Sequence, residues 1–393
     1  MTINFLQLLK KSPMTYIASD WSAVIEFLQN DPQIINHQPE VLELALSGLY
    51  LGDFQQRWEL SKILISWGKI VIPALIEILE DEDTEDELRW YAARILGELQ
   101  HPEAIPPLVV LLNSPDEELQ AIASSALGQM GKMAINALIP LLKQDETKFL
   151  AVRSLAQIHQ QATITPLLSI VNDPNPAIRS LAIEALSNFH DYRVPPVLLA
   201  AINDVASTVR RVAILGLGFR PDLQAELDLA AQLQPKLFDS NLEVCCATIS
   251  TLSRLGGDVA AEALFSVLIS PNTPVLIQLE TVRALTWMET TAGLKYLQTA
   301  LNYSFASTVY QEMVIVLGRV KQPNLTLLAT DILLELLNSK HPATNINSVK
   351  SAIALSLGHL GTAKAIPALT LLLNEPDQQV KLHAIAALNT IQS

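Results

Sequence analysis

Cysteine, basic charge and long apolar runs are all scarce in this chain. Its 393 residues include only two cysteines, the neighbours Cys245 and Cys246, which excludes a disulfide-stapled secreted fold and favours a reducing compartment. Lys and Arg number 26 against 40 Asp and Glu, and the formal net charge of −14 argues against nucleic acid as a partner. No stretch reaches the roughly 18 apolar residues of a membrane span. We therefore expect a cytoplasmic protein with protein partners.

Recognisable catalytic and metal-binding motifs are also missing. The sequence contains no glycine-rich phosphate loop, no G-x-S-x-G, no HExxH and no catalytic-triad order. The apolar run in the N-terminal sequence MTINFLQLLKKSPM is too short for a signal peptide. The seven histidines are scattered. We accordingly predict no catalytic residue, no metal site and no cofactor.

What the chain has is a repeat. The segments LRWYAARILGEL, LQAIASSALGQM and IRSLAIEALSNF share one amphipathic helical pattern, with small residues at equivalent positions. Each repeat can be anchored on one leucine, and the anchors lie 28 to 40 residues apart: Leu64, Leu96, Leu127, Leu155, Leu186, Leu217, Leu252, Leu285, Leu317, Leu357 and Leu388. This period predicts a helical array in which each helix pair buries its apolar face against its neighbours.

Each repeat also contains a first helix. Segments such as AIPPLVVLL and AIPALTLLL carry a proline near the start, where a missing N–H costs little. A short polar loop such as NSPDEE follows, then the anchored helix, which we expect to end at the glycine or polar residue after the anchor.

The pattern AIPPLVVLLNSPDEELQAIASSALGQMG resembles the HEAT repeat, in the short variety of cyanobacterial phycobilisome-lyase-like proteins. The resemblance implies an all-α fold, a right-handed α-solenoid of about ten to eleven helix pairs. We predict an N-terminal helical cap over residues 1–38 and one HEAT-like repeat solenoid over residues 39–393, with the second helix of each pair lining the concave side.

Two positions of the second helix, counted back from the leucine anchor and called slots below, are expected to be exposed. The seventh residue before the anchor is mostly basic, as at Arg89, Arg179 and Arg210, and Asp often lies six residues earlier. We interpret this slot as a structural ladder, in which each cation bonds loop carboxylates or carbonyls of its own or the next repeat. The next slot carries Trp58 and Trp90 in the matching segments RWELSKIL and RWYAARIL.

Four residues after each tryptophan lies a cation, Lys62 or Arg94, so each pair shares a helix face and can form a cation–π contact. Phe149 occupies the same slot as the tryptophans two repeats later. We predict that Trp58, Lys62, Trp90, Arg94 and Phe149 form an aromatic and basic patch that binds a partner on the concave surface. Burial of the tryptophans under the neighbouring helix is the competing interpretation.

The acidic run EDEDTEDE lies between two predicted helices and comprises Glu80, Asp81, Glu82, Asp83, Glu85, Asp86 and Glu87. It lacks the glycine and ligand spacing of an EF-hand, so a solvated loop is favoured over a cation clamp or a dock for a basic partner.

Adjacent cysteines point about 100° apart on a helix and chelate one metal poorly, so Cys245 and Cys246 are interpreted as structural thiols.

The resemblance implies two alternative functions. One is a non-enzymatic scaffold that binds a protein partner, such as an iron–sulfur assembly scaffold protein or a phycobiliprotein. The other is a phycobilin lyase or lyase-isomerase of the E/F type, with a phycobilin as cofactor. Such lyases typically carry the motif Tyr-Tyr-Ala-Ala-Trp-Trp-Leu, whereas here Arg94 and Ile95 follow Trp90-Tyr91-Ala92-Ala93. We therefore favour the scaffold.

Overall fold

A computed structural model describes residues 21–31, 33–339 and 341–392, and among these residues the regular structure is entirely helical. Short 3-10 turns lead into many of the helices. The α-helices are α1 Trp21–Asn30, α2 Ile34–His37, α3 Val41–Leu51, α4 Phe54–Ser66, α5 Ile72–Glu80, α6 Asp86–Leu99, α7 Ile105–Leu111, α8 Glu117–Gln129, α9 Ile135–Leu138, α10 Asp145–Gln157, α11 Ile164–Leu168, α12 Pro176–Ser187, α13 Val194–Ala201, α14 Ser207–Leu217, α15 Gln224–Leu227, α16 Leu229–Leu233, α17 Leu242–Leu255, α18 Gly257–Ile269, α19 Val275–Trp287, α20 Thr291–Ala300, α21 Ser307–Leu317, α22 Pro323–Asn338, α23 Asn347–Leu360, α24 Ile366–Leu372 and α25 Gln378–Gln392.

The chain forms two compact units, Met1–Phe189 and His190–Ser393. In the first unit the anchored helices α4, α6, α8, α10 and α12 each pack against the next. In the second unit the anchored helices α14, α17, α19, α21, α23 and α25 do the same. The predicted all-α solenoid of helix pairs is therefore confirmed. The domain bounds 1–38 and 39–393 stay predictions, and residues 1–20 of the expected cap lie outside the described residues.

The leucine anchors form the centre of the core. Leu64, Leu96 and the anchors that follow them are buried, whereas Leu388 in the last described helix is half-buried. Prolines occupy the first turn of the first helices α5, α7, α13 and α24, as the sequence predicts.

The glycine after the anchor has a different role from the one we expected. Helix α6 continues through Gly97 to Leu99, so this glycine does not end the helix. A Cβ on Gly97 would lie 2.7 Å from the Cβ of Ala126 on α8, and one on Gly358 would lie 2.7 Å from the Cβ of Ala387 on α25. The glycine is therefore needed for close packing of successive second helices, and the prediction of a helix stop is wrong at these positions.

The ladder predicted for the slot seven residues before the anchor is present in the structure. Arg179 donates to the carbonyl oxygens of Asp173 and Pro174 at 2.8 and 3.1 Å. Arg210 donates to the carbonyl oxygen of Asp204 at 2.8 Å and forms an ion pair with Asp239 of the next repeat at 2.7 Å. Further members of the ladder are Arg57, Arg89, Gln120, Lys148, Cys245, Tyr310 and Lys350. Each ties the start of a second helix to the end of the preceding helix, to the loop before it or to the next repeat.

Candidate functional site

Arg94 and Trp58 belong to successive repeats and make the closest cation–π contact of the N-terminal patch. The guanidinium carbon of Arg94 on α6 lies 4.0 Å from the ring centroid of Trp58 on α4. Arg94 Nη1 also donates to Ser61 Oγ at 2.8 Å. Lys62 instead pairs with Glu59 at 2.9 Å. The expected pairing within one helix is thus replaced by a pairing across repeats, because the neighbouring helix brings Trp58 under Arg94.

Three further aromatic side chains, Phe54, Tyr91 and Trp90, extend from this contact. Phe54 stacks on Trp58 at a centroid distance of 6.4 Å and lies 6.4 Å from Tyr91 at a tilted angle. Trp90 meets Tyr91 edge-on at 5.2 Å. Tyr91 is buried and its hydroxyl donates to the carbonyl oxygen of Phe54 at 3.3 Å, whereas Trp58 and Trp90 are half-buried. Each tryptophan is thus partly covered and keeps an exposed portion, and the binding of a partner by these residues stays a prediction.

A cavity of about 390 Å³ opens beside Trp90, and we call it the aromatic recess. Its apolar lining comes from Phe54, Trp90, Tyr91 and Leu119, and its polar lining from the carboxylates Asp86, Glu87, Asp116 and Glu118. The cations of the predicted patch are engaged elsewhere, so the open space next to the aromatics is acidic. An aromatic floor with a carboxylate rim suits a guanidinium or ammonium group.

The carboxylates of the aromatic recess differ in their engagement. Glu87 forms an ion pair with Arg57 at 2.6 Å, and Asp116 accepts from the backbone N–H of Leu119 at 2.8 Å as an N-cap. Asp86 lies 3.4 Å from Arg89. Among the described residues Glu118 has neither an ion pair nor a side-chain hydrogen bond, and its side chain is exposed. Glu118 therefore offers the freest negative charge of the recess.

Tyr91 stays a neutral phenol at the base of this recess. Burial and the nearby negative charge of Glu87 raise the pKa of Tyr91, against the opposing effects of Arg57 and Arg94. A protonated Tyr91 keeps its hydrogen bond to Phe54. It acts as a fixed wall rather than as a proton donor or acceptor for a guest.

Phe149 is separate from this cluster. It lies on α10, its side chain is 41% exposed, and no ring contact joins it to Trp58 or Trp90 among the described residues. Helix α8 stands between α6 and α10 in the stack. The membership of Phe149 in a common binding patch stays a prediction that no contact supports.

The acidic run divides between a loop and two helix ends. Glu80 is the last residue of α5, and Asp86 and Glu87 are the first residues of α6. Asp81 folds the loop by accepting from Asp83 N at 3.0 Å and from Thr84 Oγ1 at 2.8 Å. No cluster of His, Cys, Asp or Glu suited to a metal ion occurs within the described ranges.

The two cysteines lie on α17. Cys245 is buried and its Sγ lies 3.2 Å from the carbonyl oxygen of Asp239, in the ladder slot of its repeat. Burial raises the pKa of both thiols, with a further contribution from Asp239 for Cys245 and from Glu280 for Cys246. These are free thiols with little thiolate character near neutral pH.

Sequence analysis missed five residues that line the aromatic recess: Phe54, Tyr91, Asp116, Glu118 and Leu119. Phe54, Asp116 and Glu118 lie at the starts of α4 and α8, outside the two slots that were considered for binding. Tyr91 was considered only as part of the segment Trp90-Tyr91-Ala92-Ala93, and Leu119 only as part of the repeated apolar pattern. The segment DEELQ at the start of α8, placed beside the tryptophan slot of the preceding repeat, is the signal that could have revealed the recess.

No helix in the described part of the chain has the length and apolar character needed to cross a bilayer.

The HEAT-repeat family model matches residues 72–150, 135–218 and 294–389, which together exceed half of the chain. The chain is 35% identical over 97 residues to the phycocyanobilin lyase subunit alpha of Synechococcus elongatus, covering 23% of this chain and 36% of that protein. It is 35% identical over 124 residues to the subunit of the same name from a Nostoc species, covering 29% of this chain and 42% of that protein. The chain thus spans well under half the length of these curated relatives.

Two solved structures are similar to this chain at low sequence identity. An Escherichia coli protein titled YIBA is 19% identical with a TM-score of 0.42, covering 70% of this chain and 98% of its own. The complex of CpcE and CpcF of phycocyanin lyase from Nostoc is 22% identical with a TM-score of 0.31, covering 63% of this chain and 93% of the matched chain. With the repeat pattern, the ladder and the matches to the family model, the chain belongs to the HEAT-repeat family.

Proposed function

We propose that this protein is a HEAT-repeat adaptor that binds a protein partner through its N-terminal unit, with a basic side chain of the partner entering the aromatic recess. The observation that carries the proposal is the pairing of an aromatic floor at Trp90 and Tyr91 with the free carboxylate of Glu118. A guanidinium group there would stack on an indole and meet a carboxylate, which is the chemistry of a binding hot spot. A non-enzymatic role agrees with this arrangement, because the residues of the recess bind rather than activate a reacting group.

The nature of the partner follows from the relatives. Two curated relatives are named as alpha subunits of a phycocyanobilin lyase, so proteins with similar repeats work together with other chains. A phycobiliprotein and an iron–sulfur assembly scaffold protein are the two partner classes that the family resemblance implies. Either would dock by presenting an Arg or Lys to the recess.

Affinity capture from a lysate of the source organism, with mass spectrometry of the bound proteins, tests the proposal. The immobilised full chain is compared with Trp90→Ala and Glu118→Gln, and with Glu117→Gln as the matched control. Glu117 is an exposed neighbour on the same helix turn that does not line the recess. Trp90→Ala should weaken capture by about tenfold or more, as for a typical hot spot. Capture that is unchanged in both recess variants would contradict the proposal.

A phycobilin lyase activity is the second candidate, favoured by the 35% identity to two lyase subunits. Against it, Arg94 is stacked on Trp58 and Ile95 is fully buried, so neither extends an aromatic wall for a tetrapyrrole. Carboxylates around the recess would also repel the propionates of a bilin. Co-expression with a bilin-synthesising system and a visible spectrum of the purified protein decide between the two. A bound tetrapyrrole absorbance would favour the lyase, and a colourless protein would favour the adaptor.

A further inference from the structure

A second exposed surface lies two residues after the leucine anchors of the C-terminal unit. In four consecutive repeats this slot holds, in order, an aromatic, an arginine, an aromatic and an arginine: Phe219, Arg254, Trp287 and Arg319. We call these four residues the aromatic–arginine row. In the N-terminal unit the same slot holds Ser66, Glu98, Gln129, Gln157 and Asn188, with neither an aromatic nor a cation. The alternation is thus a local property of the second unit and not a requirement of the repeat.

The helices that carry the row are direct neighbours. Helix α14 packs on α17, α17 on α19, and α19 on α21. Trp287 is 81% exposed and Phe219 is 60% exposed, and the side chains of Arg254 and Arg319 are exposed as well. An indole this exposed contributes little to the fold, and exposed Trp and Arg are over-represented at binding hot spots.

The members of the row are arranged as two pairs. The guanidinium carbon of Arg254 lies 4.7 Å from the ring centroid of Phe219. Trp287 and Arg319 line one cavity of about 440 Å³, together with Lys321 and Leu325. The first pair holds Arg254 over an aromatic face, and the second leaves an indole, a guanidinium and an ammonium group around one open recess.

The charges of the row are free. Within the described part of the chain, Arg254, Arg319 and Lys321 form no ion pair, although the protein has 40 acidic residues against 26 basic ones. Arg283, on the rim of the same cavity, pairs with Glu280 at 2.8 Å and Glu312 at 2.7 Å. Glu289, also on the rim, accepts from Gln322 Nε2 at 2.6 Å. These three carboxylates are therefore engaged with other residues, and Arg319 and Lys321 remain available.

From this arrangement we infer that the aromatic–arginine row is a docking surface for an acidic, extended peptide segment of a partner protein. Carboxylates of the segment pair with Arg254 and with Arg319 and Lys321, and an apolar side chain packs on Trp287 between them. Neighbouring helices lie about 10 Å apart, so the row is about 30 Å long. An extended chain rises about 3.3 Å per residue, so a segment of about nine residues spans it, with its two acidic contacts about six residues apart.

A single-stranded nucleic acid is an alternative ligand of the row, because its bases could stack on the aromatic rings and its phosphates could pair with the arginines. The overall charge of −14 disfavours a polyanion with a charge at every residue, whereas it tolerates a peptide with a few carboxylates. The acidic peptide is therefore the occupant that the observations favour. The site lies outside the N-terminal unit, so its test is independent of the aromatic recess.

Fluorescence anisotropy with the full chain and labelled synthetic peptides tests the inference. The probe has about ten residues, with Glu at two positions about six residues apart and Leu midway between them. The comparison probes replace both Glu by Gln or by Lys, and an oligothymidylate of the same length represents nucleic acid. Binding of the Glu probe should be at least about tenfold tighter than that of either comparison peptide and should weaken as salt is raised.

Variants locate the binding site. Trp287→Ala and the double variant Arg254→Gln with Arg319→Gln should each weaken binding of the Glu probe by about tenfold or more. The matched controls are Tyr192→Ala, which removes another exposed aromatic of the same unit, and the double variant Lys69→Gln with Lys132→Gln, which removes two exposed cations elsewhere. The inference is overturned if the Glu probe does not bind, if the oligothymidylate binds more tightly than it does, or if the row variants bind like the controls.

Discussion

The guanidinium of Arg94 lies over the indole of Trp58, 4.0 Å from its centroid, and donates to Ser61 on the same neighbouring helix. This one side chain connects α6 to α4 by a cation–π contact and a hydrogen bond. The residue that the sequence offered as a free binding cation therefore stabilises the join between two repeats. Its removal should affect folding before it affects recognition.

Arg94→Ala should lower the free energy of unfolding by about 1–2 kcal/mol, since both contacts are half-buried. Urea denaturation measures it, and a double-mutant cycle with Trp58→Ala should return a coupling energy of about 1 kcal/mol. Lys62→Ala is the control, because its surface pair with Glu59 contributes less than about 0.5 kcal/mol. A coupling energy near zero would show that the stacking of Arg94 on Trp58 does not stabilise the fold.

Asp239→Asn should destabilise the second unit by about 2 kcal/mol, a value between those of exposed and buried ion pairs. Asp239 is almost inaccessible and pairs with Arg210, which also reaches the Asp204 carbonyl. Thermal unfolding of this variant checks the loss. Asp191→Asn is the control. Asp191 pairs with Arg193 and is more exposed than Asp239, so its replacement should lower the free energy of unfolding much less.

The same carboxylate should make stability depend on pH in a defined direction. Burial alone would raise the pKa of Asp239, but hydrogen bonds from Arg210 and the backbone of Asn241 outweigh burial and lower it. The stabilisation is therefore fully present above the unfolded-state pKa of about 3.9 and is lost as pH falls through the lower folded-state pKa. Unfolding free energies of wild type and Asp239→Asn should converge at acid pH. A constant difference across that range would disprove the assignment.

Gly97→Val should destabilise the N-terminal unit by about 1–3 kcal/mol, the usual cost of overpacking, even though a β-carbon in mid-helix favours helix formation. Its Cβ would lie 2.8 Å from the Cα of Ala126, and that backbone atom cannot move aside alone. Gly218→Ala provides the milder comparison, because the nearest atom there is a threonine side-chain oxygen at 3.1 Å. Chemical denaturation should show a larger loss of unfolding free energy for Gly97→Val than for Gly218→Ala. Equal losses in the two variants would argue against close packing as the cause.

Alkylation of the cysteines should be slow in the folded protein at pH 7. Burial raises the pKa of both Cys245 and Cys246, so the reactive thiolate is scarcer than in a free thiol. Mass spectrometry after iodoacetamide treatment should show faster labelling as pH rises above 9, and full labelling at once in urea. Rapid modification of Cys245 in the native protein at neutral pH would contradict its burial.

The features that repeat were the ones that the sequence predicted well. The anchors and the ladder recur at one position in each repeat, so a single physical role explains many residues, as at Leu96 and Arg210. Arg94 shows where such reasoning fails. The aromatic expected to pair with it, four residues earlier on its own helix, is Trp90, but its partner is Trp58, and only the lateral offset between packed helices decides which ring it meets.

The surfaces proposed for binding were harder to predict for a related reason. The aromatic recess combines a tryptophan slot with the start of the next repeat's second helix, so no single slot contains it. The aromatic–arginine row does lie in one slot, two residues after the anchors. Reading that slot down the chain would have revealed it, but the repeated pattern directs attention to the residues before the anchor.

The ladder joins some successive repeats and not others. Arg57 and Lys148 form ion pairs with the following repeat, whereas Arg89 and Gln120 bond within their own repeat among the described residues. At their far ends α6 and α8 are held together by the Gly97–Ala126 contact and by the hydrogen bond from Gln100 to the carbonyl oxygen of Gln129. These two helices are thus clamped at one end and unlinked by the ladder at the other, where the aromatic recess opens. The aromatic recess therefore opens where no ladder contact among the described residues joins its two sides, so a guest that bridges Trp90 and Glu118 would add a link between these two repeats at that end.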